Sequence, residues 1–329
     1  MKFLGRVVNS DFLSEQELPD TPIVDSQIHQ SVISLERSPS RGFGVVVNSY
    51  LQLTKPTIML LVLITGATSL VLEGSFLTQP LKFLLVLVGL YLTGGCANAL
   101  NQYFEREVDA KMKRTAKRRP LPQGIISPKS ALIFSVSIGV TGVALFWYFF
   151  NPLTALLSLG TILFYSLFYT LYLKPNTYQN IVIGGAAGAM APVGAWTAAT
   201  GTMALMPWSI FLIVFLWTPP HFWALALFCK DDYREVGYPM LPVLKGDDAT
   251  HNQIFVYSLM LLASSMLPLA DGASWFYAAA AVALGVVFIA RVLQARKSRA
   301  IAHVKRLFGY SIIYLFAICA ALMVDKFIA

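Results

Sequence analysis

Between Lys129 and Lys174 the sequence reads SALIFSVSIGVTGVALFWYFFNPLTALLSLGTILFYSLFYTLYL (130–173), which is 44 residues without a charged side chain. A helix that spans a bilayer needs about 20 apolar residues, so this stretch is long enough for two. Asn151-Pro152 lies near its middle and is a dipeptide typical of turns. The stretch therefore predicts two transmembrane helices joined by a short turn.

Other charge-free stretches have similar lengths. There are 22 residues between Lys82 and Glu105 and 55 between Lys174 and Lys230, enough for one and two further spans. We predict an all-α polytopic membrane protein with about nine transmembrane helices around a central cavity. The predicted spans are residues 56–72, 81–103, 130–149, 153–173, 180–200, 207–228, 253–270, 273–290 and 307–325.

The composition of the whole chain agrees with this fold class. Of 329 residues, 56% are hydrophobic and 13% are charged, against about 25% charged in soluble domains, and the mean hydropathy is +0.63. These values exclude a water-soluble enzyme and an intrinsically disordered chain. Cys96, Cys229 and Cys319 lie far apart, without the spacing of a metal site or a disulfide framework, so we interpret them as packing residues.

The positions of the basic residues predict the orientation in the membrane. Of the 25 Lys and Arg residues, all but Lys82 and Lys326 lie in the N-terminal segment or in connections that follow even-numbered spans. Connections rich in Lys and Arg stay in the cytoplasm. We therefore predict a multi-pass protein of the inner (plasma) membrane with a cytoplasmic N-terminus. The net charge of +8 reflects this asymmetry and does not indicate a nucleic-acid partner.

Residues 1–50 form the most polar segment of the sequence. They carry acids such as Asp11, Glu15 and Glu17 among Ser, Pro and Gln, a composition unlike that of transit and signal peptides. We predict a flexible cytoplasmic N-terminal tail over residues 1–50 and a nine-helix transmembrane domain over residues 51–329.

The end of the second predicted span carries amide and acidic side chains at helical spacing. Asn101, Glu105 and Asp109 are four residues apart, so on a helix they share one face over about 12 Å. Carboxylate and amide oxygens are ligands that Mg²⁺ takes, and the ion keeps phosphate oxygens as further ligands. This face predicts a site for Mg²⁺ on a diphosphate, with all three residues as metal ligands and catalytic residues.

Basic residues follow this face in the next connection, and their guanidinium groups suit phosphate oxygens. The basic set is Lys113, Arg114, Lys117, Arg118 and Arg119. The alternative interpretation is that these cations only anchor the protein at the cytoplasmic face. That alternative does not explain why acids are placed at helical spacing in the same segment.

A second acidic segment follows the sixth predicted span. Asp231 and Glu235 are four residues apart, with Asp232 and Arg234 beside them. Because this segment comes four spans after the first motif, we predict that the two face each other across a cavity. Asp231 and Glu235 would then hold a second metal on the same diphosphate, with Asp232 as a further catalytic residue and Arg234 as a substrate contact.

His221 is the one histidine deep within a predicted span, and it precedes the second acidic segment. An ionisable residue inside the membrane is a functional candidate by default, and a hydrogen-bonded packing histidine is the alternative. Tyr165 and Tyr169 are four residues apart, just before Lys174, and are candidates for lining the cavity. Gly184 and Gly188 have the spacing of a close helix contact.

These motifs resemble those of the UbiA superfamily of intramembrane prenyltransferases, which have an N-x-x-x-D-x-x-x-D type motif and a second acidic motif four helices later. Here the first motif is NQYFEREVD (101–109), with Glu105 where Asp is usual, and the second has Asp231 with Glu235. Within the superfamily the chain is most similar to the protohaem IX farnesyltransferases (haem O synthases). That narrower resemblance rests on DAKMKRTAKRRPLPQG (109–124), NIVIGGAAGAMAPVGAW (180–196), TPPHFWALAL (218–227) and KDDYREVGYPMLPV (230–243).

The resemblance implies a reaction and its substrates. The farnesyl group of farnesyl diphosphate would be transferred to a vinyl group of haem B, and water would complete the hydroxyethylfarnesyl side chain of haem O. Mg²⁺ would be the cofactor, Arg114, Arg118 and Lys174 would stabilise the leaving diphosphate, and His221 would contact the haem. The implied partners are the two substrates, the lipid bilayer, and a downstream haem-modifying enzyme or terminal oxidase assembly.

Two other functions remain open at the level of sequence. A UbiA-type prenyltransferase acting on an aromatic acceptor is opposed only by the TPPHFW (218–223) and YPMLP (238–242) segments. A secondary transporter usually has broken helices with charges near the membrane midplane. In this sequence the acids cluster at the ends of spans, which favours the enzyme.

Overall fold

A computed structural model describes residues 42–328, and within this range every regular element is a helix. Most of the predicted tail over residues 1–50 therefore lies outside the described residues. Its last part belongs to the helix Phe43–Leu53, and the compact body of the protein begins at Val46.

In the described range, nine helices are long and apolar enough to cross a membrane. They are α1 (Pro56–Glu73), α2 (Pro80–Lys111), α3 (Pro128–Phe149), α4 (Pro152–Asn176), α5 (Asn180–Thr200), α6 (Leu205–Phe228), α7 (Gly246–Asp271), α8 (Trp275–Ser298) and α9 (Ile301–Ile328). Each overlaps one of the predicted spans, and α8 begins two residues later than predicted, so the all-helical polytopic fold is confirmed. The protein is a multi-pass membrane protein.

The ends of these helices follow from proline and glycine. Proline has no backbone N–H and suits the first helical turn, where that donor would be unpaired. It begins α1, α2, α3 and α4, at Pro56, Pro80, Pro128 and Pro152. Glycine tolerates the left-handed backbone that ends a helix, and α1 and α5 end this way at Gly74 and Gly201.

The second helix is longer than the sequence predicts. Its apolar part ends near residue 103, but α2 continues as one helix to Lys111. A hydropathy pattern registers only the apolar part, whereas the backbone hydrogen bonds continue through charged residues. Asn101, Glu105 and Asp109 consequently lie on a single uninterrupted helix.

The nine helices form a closed ring. Each helix packs against the next one in sequence, and α9 packs against α1. Further contacts join α1 with α5 and α6 with α9. The most enclosed spans are α5 and α6, where 61% and 67% of the most apolar window is buried. This arrangement brings the carboxyl end of α2 beside that of α4, where the candidate site lies.

Close contacts of α5 are made by two adjacent glycines. A Cβ on Gly184 would lie 2.3 Å from the Tyr169 ring of α4, and one on Gly185 would lie 3.1 Å from the side chain of Thr218 on α6. Gly188 has nothing within 4 Å of its Cβ position. The predicted close contact is therefore correct for Gly184 and wrong for Gly188. The helices α4 and α6 approach α5 at Gly184 and Gly185, and neither comes close to Gly188.

Candidate active site

The predicted motif residues of α2 all point into the protein. Asn101, Glu105 and Asp109 are 2%, 3% and 2% exposed. Burying two carboxylates is unfavourable unless they are paired with positive charges or coordinate a metal. Their partners therefore define the chemistry of the site.

Three basic side chains meet this face. Lys174 Nζ donates to Glu105 Oε1 at 2.5 Å, and Arg119 Nη1 donates to Asp109 Oδ2 and lies 3.5 Å from Glu105 Oε2. Lys55 Nζ donates to Asn101 Oδ1 at 2.8 Å. We call these six residues, Lys55, Asn101, Glu105, Asp109, Arg119 and Lys174, the charged cluster. It contains three basic groups and two carboxylates, so it suits an anionic ligand.

Lys55 reaches the charged cluster through an uncommon backbone conformation. Its φ is 53°, a left-handed value that costs a non-glycine residue about 1–2 kcal/mol. Gln102 of α2 holds this turn, because its Nε2 donates to the carbonyls of Gln52 and Leu53, both at 3.0 Å. Strain of this kind persists where the surroundings enforce it, often at functional sites. Burial and the nearby Arg119 guanidinium lower the pKa of Lys55 to about 7.

Arg119 is positioned by the connection after α2. This segment folds back over the end of the helix, where Thr115 Oγ1 donates to the carbonyl of Asp109 at 2.8 Å. Burial lowers the pKa of Arg119, but the carboxylates of Asp109 and Glu105 outweigh it and raise the pKa. Arg118, which the sequence predicts as a phosphate contact, is exposed.

Lys174 is positioned by a change of helix type within α4. Residues Phe164–Leu173 form a π-helix, and the Thr170 hydroxyl donates to the carbonyl of Tyr165, five residues earlier, at 2.8 Å. Asn101 Nδ2 in turn donates to Thr170 Oγ1 at 3.1 Å, which joins α4 to α2. Such π-segments are rare and frequent at functional sites. Tyr165 and Tyr169 stack on this segment with their centroids 5.0 Å apart.

Two tyrosines that follow α6 complete the surroundings of the cluster. Tyr233 and Tyr238 are buried, and the Tyr238 ring centroid lies 4.9 Å from Lys174 Nζ. Burial, followed by the Glu105 carboxylate, raises the pKa of Tyr238, so its hydroxyl remains a hydrogen-bond donor. Arg114 lies 5.9 Å from the Tyr233 ring, and its buried Nε has no hydrogen-bond partner. Arg114 therefore has an unused donor in this region.

The second acidic segment does not reach the charged cluster. The short helix Lys230–Glu235 turns Tyr233 inward, and residues two positions away in either direction lie on its opposite face. Asp231 is accordingly 93% exposed at its side chain and pairs with Arg234 at 2.8 Å, and Glu235 is also exposed. Asp232 is half-buried. The predicted arrangement of two facing acidic segments is not what the structure shows.

The charged cluster nonetheless fits a divalent cation. The carboxylate oxygens Asp109 Oδ2 and Glu105 Oε2 both contact Arg119 Nη1, so one positive group already lies between them. Asn101 Oδ1 is a third oxygen on the same face of α2. Within residues 42–328 no three His, Cys, Asp or Glu side chains come together around a metal position. Two carboxylates and an amide leave coordination positions for water and phosphate oxygens, as Mg²⁺ prefers.

His221 lies on α6, seven residues or about 10 Å before the end of the helix at Phe228. It is 9% exposed, and its ring is stacked between those of Trp217 and Phe308. Its Nδ1 is hydrogen-bonded to Ser311 Oγ of α9 at 2.7 Å. His221 therefore lies about two helical turns inside the carboxyl end of α6.

Some of the site residues were not selected from the sequence. In the sequence Lys55 is one of several basic residues of the N-terminal side, and Tyr233 and Tyr238 stand in no pattern that indicates a site. Arg119 stood among five basic residues with no local signal to distinguish it from Arg118. The available signal for Lys55 was its position before Pro56, which restricts the backbone and predicts a turn between helices.

Comparison with known proteins gives consistent results over most of the chain. The UbiA prenyltransferase family matches residues 61–317. The chain is 43% identical to a protohaem IX farnesyltransferase of Picosynechococcus sp. over 290 residues, which cover 87% of this chain and 90% of that protein. It is 45% identical to a protohaem IX farnesyltransferase of Erythrobacter litoralis over 285 residues, which cover 85% and 92%.

Solved structures of UbiA homologues have the same fold. One from Aeropyrum pernix has a TM-score of 0.65 at 18% identity, covering 82% of this chain and 98% of that one. Another, from Archaeoglobus fulgidus and bound to GPP and Mg²⁺, has a TM-score of 0.60 at 17% identity, covering 83% and 99%. At these identities the likeness establishes the fold alone.

Proposed function

Because the chain belongs to the UbiA prenyltransferase family, we propose that it transfers the farnesyl group of farnesyl diphosphate to a vinyl group of haem B, forming haem O. The observation that supports this most strongly is the charged cluster. Its carboxylates and amide suit Mg²⁺, and its three basic groups suit a diphosphate. The identity of 43% and 45% to protohaem IX farnesyltransferases supports haem as the acceptor.

The residues of the cluster divide into two roles. Asn101, Glu105 and Asp109 would hold Mg²⁺, as in the sequence-based prediction. When bound, the ion neutralises charge on the diphosphate and makes it a better leaving group. Arg119 and Lys174 are already within hydrogen-bond distance of the carboxylates, so a small movement would bring either onto a phosphate oxygen.

Arg114 and the tyrosines act beside these cations. The unpartnered Nε of Arg114 can donate to a phosphate oxygen, which would satisfy a buried donor. Tyr238 keeps its proton and can donate to the same ligand. Tyr169, packed on Gly184, would line the path of the isoprenoid chain.

We also propose that the second acidic segment joins the site when the diphosphate is bound. Asp232 is half-buried, whereas Asp231 and Glu235 are exposed, so Asp232 is the acid of this segment that we assign to the ligand first. Asp231, Arg234 and Glu235 would reach the ligand only if the helix Lys230–Glu235 rotated. Arg118 is assigned a weaker role, attracting the anionic substrate from the surface.

The deeper part of the bundle would hold the acceptor. The α6 helix has no charged residue along its length, which suits the apolar face of a haem and the C15 chain. His221 lies at this depth and would contact the haem. Exclusion of bulk water by the helices protects the allylic cation from being quenched before it meets the vinyl group.

The function is tested with purified protein in detergent. We expect diphosphate release and formation of haem O, detected by mass spectrometry, only when farnesyl diphosphate, haem B and Mg²⁺ are all present. Chelation of Mg²⁺ with EDTA should stop both, and its re-addition should restore them. Turnover with hydroxybenzoate but not with haem B would contradict the proposed acceptor.

We propose that the charged cluster faces the cytoplasm and that the protein resides in the inner (plasma) membrane. The basic residues between α2 and α3 and after α8 support this orientation, because such connections are retained on the cytoplasmic side. The downstream partner, a haem-modifying enzyme or terminal oxidase assembly, would receive haem O from the same membrane.

Cysteine labelling tests this orientation. In a protein with Cys96, Cys229 and Cys319 replaced by alanine, we expect Gln123→Cys to be protected from an impermeant thiol reagent in intact cells, and Ser75→Cys to react. Both positions are exposed and lie on opposite ends of α2. Permeabilised cells should label both. The reverse pattern in intact cells would place the charged cluster on the outer face.

A further inference from the structure

The surroundings of His221 fix the orientation of its ring. Trp217 stacks on the imidazole at 4.3 Å between centroids and Phe308 at 4.4 Å. Trp217 is itself held, because its Nε1 donates to the carbonyl of Ser311 at 2.6 Å. The imidazole can therefore neither tilt nor turn freely about its long axis.

The hydrogen bonds at Ser311 also fix the tautomer of His221. Ser311 Oγ donates its only hydrogen to the carbonyl of Phe308 at 2.6 Å. At its 2.7 Å contact with His221 it must therefore accept, which requires that Nδ1 carry the proton. In the neutral ring Nε2 then has a lone pair, and no residue within 42–328 makes a hydrogen bond to it.

The unpartnered Nε2 lone pair belongs to a ring that is only 9% exposed, and it is available to a ligand. Buried polar groups usually have a hydrogen-bond partner, so an unpartnered nitrogen in a largely buried ring suits a ligand that brings one. The α6 helix around it has no charged residue, and within residues 42–328 no cation makes a hydrogen bond to the ring. The partner of Nε2 is therefore expected to be a proton donor that enters with the substrates.

The proposed reaction supplies such a donor. The farnesyl C1–O bond breaks, its electron pair leaves with the diphosphate, and the terminal vinyl carbon of haem bonds to C1. The cation then lies on the inner vinyl carbon, next to the porphyrin. A water oxygen bonds to this carbon, and one water proton must leave to give the neutral alcohol.

Few groups can accept this proton inside the bundle. Glu105 and Asp109 are paired with Lys174 and Arg119, so their oxygens are already engaged with cations. The released diphosphate is the chemical alternative, but it too would be held at the charged cluster. His221 is about two turns deeper along α6 than the end of the helix, at the level assigned to the acceptor.

We propose that Nε2 of His221 is the base that takes the proton of the water as it adds to the haem vinyl cation, with Ser311 as the residue that positions the imidazole. The inference rests on the proposed haem farnesylation. It assigns His221 to the hydration step and not to the iron, because an iron-bound Nε2 has no lone pair for the proton. Without this base, water would add less readily, and the cation would instead lose a proton from its neighbouring CH₂ group to a water molecule and give an alkene.

The product ratio tests the proposal. Wild-type and His221→Gln proteins in detergent receive farnesyl diphosphate, haem B and Mg²⁺, and the hydroxylated and alkenyl products are separated by mass. Glutamine retains a polar group but is not a base at neutral pH. We expect the ratio of alcohol to alkene to fall about a hundredfold, while diphosphate release changes much less.

Serine variants provide the control. Ser311→Ala removes the acceptor for Nδ1–H and should lower the same ratio, and Ser311→Thr, which keeps the hydroxyl, should restore it. Ser258→Ala is the matched control, because Ser258 is equally buried and donates to a backbone carbonyl at 2.6 Å on α7. It should leave the ratio unchanged. If His221→Gln fails to fold, Ser311→Ala carries the test alone.

Three results would overturn the inference in distinguishable ways. An unchanged alcohol-to-alkene ratio in folded His221→Gln and Ser311→Ala proteins would assign the proton to the diphosphate. The Soret band of bound haem is compared between wild type and His221→Gln. A shift typical of a lost axial ligand would assign Nε2 to the iron. Absence of any prenylated haem with the wild-type protein would instead reject the proposed function.

Discussion

Replacing Asp109 with asparagine is expected to slow farnesyl transfer about 10³-fold. Asp109 is 2% exposed, and its Oδ2 pairs with Arg119. Asparagine keeps the shape and an acceptor for Arg119, but removes the negative charge that we assign to the metal. The measurement is kcat/KM for farnesyl diphosphate in detergent, with haem B and Mg²⁺ saturating.

A glutamate on the same helix gives the matched control. The side chain of Glu107 is 81% exposed and lies 3.3 Å from Arg106, outside the charged cluster. Glu107→Gln should leave kcat/KM unchanged, because an exposed ion pair contributes little. Thermal unfolding in detergent should show that both variants are folded. Near-normal turnover of folded Asp109→Asn would refute the assignment of this carboxylate to the metal.

The fold could be predicted because the membrane constrains the sequence strongly. Each span requires about 20 apolar residues, so the charge-free stretches revealed all nine helices of the described range. The length of α2 was underestimated because its last residues, from Glu105 to Lys111, are stabilised by backbone hydrogen bonds outside the apolar region. Periodicity nevertheless identified the shared face of Asn101, Glu105 and Asp109.

The site could be predicted only in part, because it depends on which way neighbouring residues point. Tyr233 faces inward, so Asp231 and Glu235 face outward, although their spacing matches that of the first motif. Lys55 enters the site through a left-handed backbone turn that Gln102 stabilises from another helix. Such contacts join residues far apart in sequence, so a local sequence pattern cannot predict them.

Arg118 and Arg119 show most directly what the sequence reveals and what only the fold reveals. They are adjacent and chemically identical, so composition and charge do not distinguish them. The structure places Arg119 against Asp109 with its side chain 17% exposed, and leaves Arg118 at the surface. Arg119→Gln is expected to lower kcat/KM for farnesyl diphosphate about 10²-fold, which corresponds to about 2.7 kcal/mol of lost transition-state stabilisation.

Arg118→Gln is the matched variant and should change kcat/KM by less than about twofold, because its charge is exposed and screened by salt. The KM for haem B should be unaffected in both proteins, since the lost cation acts on phosphate. Glutamine at position 119 also leaves Asp109 with a hydrogen-bond donor, which limits the effect on folding. If Arg118→Gln were the more damaging of the two, the connection after α2 would have to bind substrate in a different conformation, with Arg118 and not Arg119 in the charged cluster.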